Sequence, residues 1–169
     1  MTDEISTSQH AREQFIERNG LQAEASGMPR IAGRLIGIFL LDGGPISFAE
    51  LAERLQASRA SISTNTRLLE RVGIIERVSV RGKRQDFFQL HSNPFTLAIE
   101  HSIRESLRFN GYVDELLTHG DLPAEATARV QAAKDFHIET VKALEALKTK
   151  LAGTGWALPV ASSPSSTES

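Results

Sequence analysis

Cysteine is absent from the 169 residues, which removes disulfides, thiolate metal sites and a cysteine nucleophile together and leaves nothing that marks an oxidising compartment. Long hydrophobic runs are missing too. The longest apolar stretch, Ile31 to Leu41, is broken by Arg34 and is too short for a bilayer, and Met1 is followed by Thr2, Asp3 and Glu4 instead of a basic leader. The reading is a cytoplasmic chain with no membrane partner. No HExxH, nucleophile elbow, phosphate-cradling glycine loop or dinucleotide fingerprint occurs. No catalytic residue and no cofactor are therefore expected, and the chain is read as a non-enzyme. The five histidines, at positions 10, 91, 101, 119 and 137, are scattered; His101 and Glu105 share a helical face, as a surface pair without the further ligands a metal needs. No repeat of solenoid period is visible.

What remains is ordinary for a globular chain: 40% apolar and 24% charged residues, with a length that suits one domain plus extra helices. The net charge of -2 hides an uneven distribution. Residues 54 to 84 carry Arg54, Arg59, Arg67, Arg71, Arg77, Arg81, Lys83 and Arg84 against only Glu70 and Glu76, a balance of +6 that leaves -8 for the remainder. A solvated face is the commoner fate of such a run. One basic block in an acidic chain is also what results when a single face meets a polyanion and the other surfaces repel it.

Periodicity predicts mostly helix. Ser6 to Ser26 carries Ala11, Phe15, Ile16, Leu21 and Ala25 at helical spacing before Gly27, with the first five residues expected to fray. Pro29 opens a second helix to about Asp42, with Ile31, Leu35, Ile38 and Phe39 as its stripe; Gly33 and Gly37 suit close packing in a soluble core. Ser47 and Glu50 form a capping box for a third helix, and Ser58 caps a fourth that ends at Gly73. Ile74 to Val80 and Gln85 to Leu90 read as a β-hairpin whose tip is Arg81-Gly82-Lys83-Arg84. Asn93 and Pro94 start a helix to about Thr118. A last helix from Pro123 to about Leu151 carries Val130, Ala133, His137, Leu144, Leu147 and Leu151 as a seam for another helix. The terminal helices are too long and too narrowly apolar to be covered by this small domain alone, so a homodimer is expected.

This order is that of a winged helix-turn-helix: mainly α with a small β-hairpin wing and long N- and C-terminal dimerisation helices. The corresponding division is 1–28 for an N-terminal dimerisation helix, 29–92 for the DNA-binding domain, 93–152 for C-terminal dimerisation helices and 153–169 for a flexible tail. Since the major groove admits one helix, the fourth is the candidate reader. Turned at 100° per residue it places Ile62, Asn65, Leu69 and Val72 on one side and Ala60, Ser63, Thr64, Arg67 and Arg71 on the other. Small side chains let the backbone approach base edges; Ser63 and Thr64 can hydrogen-bond them, and Arg67 can engage guanine or phosphate. Arg59, at the helix N-terminus, can reach a phosphate. Ser61 is borderline, and Asn65 points inward, where bonding to backbone is the better reading than a base contact. Arg81, Lys83 and Arg84 of the wing can enter the adjacent minor groove or grip its phosphates.

The stretches from Gly27 to Arg34, from Ser58 to Arg77 and from Val80 to Phe88 resemble the GbsR-type branch of the MarR family of transcription regulators. The resemblance covers roughly residues 25 to 90. It implies a homodimeric winged-helix repressor that binds double-stranded DNA, with the helix from Arg59 as recognition helix, Arg81 to Arg84 as wing and the terminal helices as the dimer seam. Ser58, Arg59, Ser63, Asn65 and Arg67 match the family's recognition-helix pattern. A small-molecule effector is a further possible partner, for which Phe109 and Tyr112 are the candidates by cation-π caging; the same three-residue spacing also serves plain packing in a dimer core. The alternative function is a winged-helix module that docks an acidic protein without a specific DNA target.

Overall fold

The computed structural model describes residues 2–155 and 157–159, with side chains from Thr7 onward. The tail expected over 153–169 thus lies largely outside the described residues, which exclude Trp156 and 160–169. The chain divides into two compact units, residues 1–94 with 158–169, and residues 95–157. In order, the elements are α1 (Thr2–Ala25), α2 (Arg30–Asp42), β1 (Ile46–Ser47), α3 (Phe48–Leu55), α4 (Arg59–Arg71), β2 (Ile75–Val78), β3 (Phe87–Leu90), α5 (Pro94–His119) and α6 (Ala124–Gly153).

The first unit is a winged helix. Leu35, Ile38 and Phe39 of α2, Leu51 and Leu55 of α3, and Ile62 and Leu69 of α4 are buried together with Ile75, Phe88 and Leu90 of the sheet. These are the positions that apolar periodicity selects on each helix. Caps fix where α3 and α4 begin: Ser47 Oγ accepts from the Glu50 N–H at 3.2 Å and Ser58 Oγ from the Ser61 N–H at 3.1 Å. Between them the chain turns through Gln56 in the left-handed conformation.

Three features differ from the sequence expectation. First, α1 starts at Thr2, earlier than the start expected at Ser6. Its inner face is also not the stripe its apolar residues suggest, because Phe15 and Leu21 are 40% and 48% exposed while Gly20 and Ala23 are buried. The helix sits on α2 through small residues. A Cβ on Gly33 would lie 2.3 Å from the Asn19 carbonyl oxygen and 2.5 Å from Ala23 Cβ, and one on Gly37 would lie 3.0 Å from Ile16 Cα. Close packing at Gly33 and Gly37 therefore stands as expected.

Second, the hairpin is shorter than its β-rich sequence suggests, because residues 79 to 86 leave the ladder and form an exposed tip or lie beside it. Third, a strand went unforeseen. β1 pairs antiparallel with β3 (Ile46 with Phe88, Ser47 with Phe87), and β2 pairs with β3 on the other side (Arg77 with Phe88, Val78 with Phe87), giving the order β1-β3-β2. Gly44 makes this possible. With φ +103 it brings the backbone so close to β3 that a Cβ would meet Gln89 Cα at 2.7 Å.

In the second unit, ion pairs of Glu100 with Lys148 and Asp114 with Lys134 set α5 and α6 in opposite directions. Past its first residue, Pro94, the buried residues of α5 are Ile103, Ser106, Asn110 and Val113. His137 Nδ1 lies 3.2 Å from Ser106 Oγ, and its ring centroid lies 4.3 Å from that of Phe109. No residue of α6 is fully buried, which leaves its apolar seam partly open. No helix among the described residues is long and apolar enough to cross a membrane.

Candidate nucleic-acid interface

The recognition face follows from which side of α4 the core occupies. With Ile62, Asn65, Thr66 and Leu69 turned inward, Arg59, Ala60, Thr64, Arg67 and Arg71 are exposed and Ser61 and Ser63 half-buried. Asn65 is only 5% exposed, and its Nδ2 donates to the Ser61 carbonyl at 2.8 Å, while its Oδ1 has no partner among the described residues. The inward reading of Asn65 stands on this geometry. Thr66, which the helical wheel did not single out, is buried because its hydroxyl bonds back to the Ile62 carbonyl at 2.9 Å and needs no other partner.

The basic block separates into two populations. Arg54 is drawn into α3's surroundings, 2.7 Å from Asp42 Oδ2 and 3.6 Å from Glu50 Oε1. Arg77 is held by two acids, with Nε 3.4 Å from Glu70 Oε1 and Nη1 3.3 Å from Asp86 Oδ2, and its guanidinium lies over Phe88. Among the described residues the other six cations, Arg59, Arg67, Arg71, Arg81, Lys83 and Arg84, have no acidic partner. Arg59 instead lies over the Phe48 ring, with Cζ 5.2 Å from its centroid. Arg81, Lys83 and Arg84 are all exposed around Gly82, in a turn closed by the Lys83 N–H donating to the Val80 carbonyl at 3.0 Å. The first unit therefore presents a polar-faced helix and a short projecting loop, both with unpaired positive charge. Such a pair suits a polyanion with one groove for each.

The region that carries these features, residues 26–85, matches the family model described as MarR family. Over 124 residues the chain is 36% identical to the HTH-type transcriptional regulator MmpR5 of Mycobacterium tuberculosis, covering 72% of this chain and 75% of that one. The chain belongs to the MarR family. It is 29% identical over 85 residues to the HTH-type transcriptional repressor OpcR of Bacillus subtilis, covering 50% of this chain and 46% of the repressor. A crystal structure of a transcriptional regulator superposes with a TM-score of 0.74 at 32% identity, covering 85% of this chain and 99% of the other. The MarR-family match and the unpaired cations coincide in residues 59 to 84.

The remaining candidates lie in the second unit. Phe109 and Tyr112 line a cleft of about 330 Å³ with Val113, Leu116, Val130, Ala133 and Arg129. The walls are apolar except for Arg129. Glu105, the surface neighbour of His101, accepts from Arg108 Nη1 at 2.9 Å. Sequence reasoning missed the division of the arginines and the role of Phe48 as a platform for Arg59, because Asp42, Asp86 and Phe48 come beside their arginines only through the fold.

Proposed function

We propose that this MarR-family DNA-binding transcriptional regulator reads operator sequence with the outward face of α4, grips the flanking backbone or minor groove with its wing tip, and acts as a homodimeric repressor. The observation that carries the reading is the set of six unpaired cations shared between one helix face and one loop. Arg59, Ser61, Ser63, Thr64 and Arg67 supply the helix contacts, and Arg81, Lys83 and Arg84 the wing contacts. Asn65 acts by shaping the helix from inside. Membership of the GbsR-type branch is supported by the residues from Ser58 to Arg77, and repression by the likeness to a protein named a repressor.

The homodimer is supported by exposed apolar side chains on α5 and α6. Leu107, Tyr112 and Phe136 are 54%, 62% and 68% exposed, a burden that a second copy would remove. The cleft beside Phe109 and Tyr112 offers an apolar effector its walls. A ligand there would compete with a second copy for Tyr112, and in this way change the spacing of the two reading heads.

Mobility shifts over a salt series test the reading. Duplex affinity is expected to fall steeply with salt, and a duplex affinity that ignores salt would overturn DNA binding. Arg67→Ala is expected to cost about 1–3 kcal/mol at one base step, whereas Arg84→Ala weakens all sequences alike and lowers the salt slope by about 1. If the basic face docked an acidic protein instead, Arg67→Ala would leave DNA affinity unchanged.

A further inference from the structure

Arg77 is the one cation between Ile75 and Leu90 that has an acidic partner among the described residues. We propose that it is a positioning residue, which sets the wing against the recognition helix and does not itself touch nucleic acid; this rests on the reading that α4 and the wing bind DNA. Its guanidinium spans two elements: Nε approaches Glu70 in the last turn of α4, and Nη1 approaches Asp86, the residue before β3. The flat face lies 5.5 Å from the Phe88 centroid, and Phe88 is also its cross-strand partner. Both acids are thus met by different nitrogens of one rigid fork, a geometry that a lysine cannot reproduce.

The connection continues around the helix. The Asp86 carbonyl accepts the Phe48 N–H at 3.0 Å, and the Phe48 ring lies beneath Arg59 at the start of α4. From Arg59 through Phe48, Asp86 and Arg77 to Glu70, the root of the wing is tied to both ends of the recognition helix. Arg77 and Asp86 are about half exposed, and exposed pairs contribute little to folding stability. Their use is therefore geometric. Beyond this root the tip is open, since Gly82 meets nothing within 4 Å of where a Cβ would stand and residues 81 to 86 are all exposed.

The sign of one measurement separates this role from its competitors. Glu70→Gln and Asp86→Asn each remove a negative charge beside the DNA-binding face. If these acids only repelled phosphate, duplex affinity would rise. Positioning predicts the reverse, a fall of about fivefold to tenfold with the melting temperature nearly unchanged, because Arg77 loses a holder. Arg77→Gln should fall by at least as much, and in that background Arg84→Ala should cost little more, since a wing that is no longer aimed has little contact to lose. Arg77→Lys should recover only part of the affinity.

Tighter binding by Asp86→Asn and Glu70→Gln, or strictly additive losses for Arg77→Gln and Arg84→Ala, would overturn the inference and leave the DNA-binding reading intact. If the unaltered protein binds no duplex at any salt concentration, the underlying reading fails instead.

Discussion

Glu17 illustrates how a single side chain is tuned by its neighbours. The Arg30 guanidinium that bonds its carboxylate holds Glu17 below the ordinary carboxylate range; burial pushes the other way, and the nearby charges of Arg30 and Arg34 act in the same direction as the bond. Arg34 Nε lies 3.2 Å from Glu17 Oε2 but off a hydrogen-bonding line, so its help is that of a charge. A carboxyl whose folded value is depressed stabilises the fold above its unfolded value and loses that contribution as pH falls through the lowered one. Wild type should therefore melt slightly above Glu17→Gln at neutral pH, and the difference should close on acidification below the ordinary glutamate value. Melting curves of both proteins from pH 7 downward would check it; the gap will be small, because both partners are well exposed.

Among the secondary structure elements, the tightest junction is that of α1 with α2. Gly33→Ala places a methyl group on the Asn19 carbonyl and on Ala23 Cβ, both far inside contact distance, so the helices must separate. The expected loss is about 1–3 kcal/mol by urea unfolding. At the reading head, Ser58→Ala removes the acceptor for the Ser61 N–H and should destabilise α4 by about 1 kcal/mol, read in the same experiment. These two sites also show what the sequence makes legible. Ser58 and Ser47 are visible because a cap is a local device, with acceptor and donor three residues apart. Gly33 and Gly37 mark a close approach, yet what approaches them cannot be seen: the buried side of α1 is made of Gly20 and Ala23, which carry almost no hydrophobic signal, while Phe15 and Leu21 advertise the opposite face. β1 escapes notice because two residues have no period, and because Ser47 already serves as a cap. The basic wing tip is plain from charge alone. That Arg54 and Arg77 leave this population is not, since Asp42 and Asp86 come near them only through the fold.

For the molecule as a whole, the decisive question is what covers α5 and α6. Buried Ile103 and Val113 account for one side of α5, whereas Leu107 and Tyr112 and, on α6, Phe136 remain in solvent. Sedimentation of the purified protein is expected to show a dimer, and Tyr112→Glu with Phe136→Glu to yield a folded monomer with much weaker duplex binding. A wild-type monomer at micromolar concentration would contradict the expectation. The little sheet bears on the same matter from another side. Its outer strands are only two and four residues long, and the longer one sets Glu76 and Arg77 along its rim. Short, charged borders make poor templates for a stranger's backbone. In the proposed dimer the copies meet through helices, and such borders leave them no second route through fibrils.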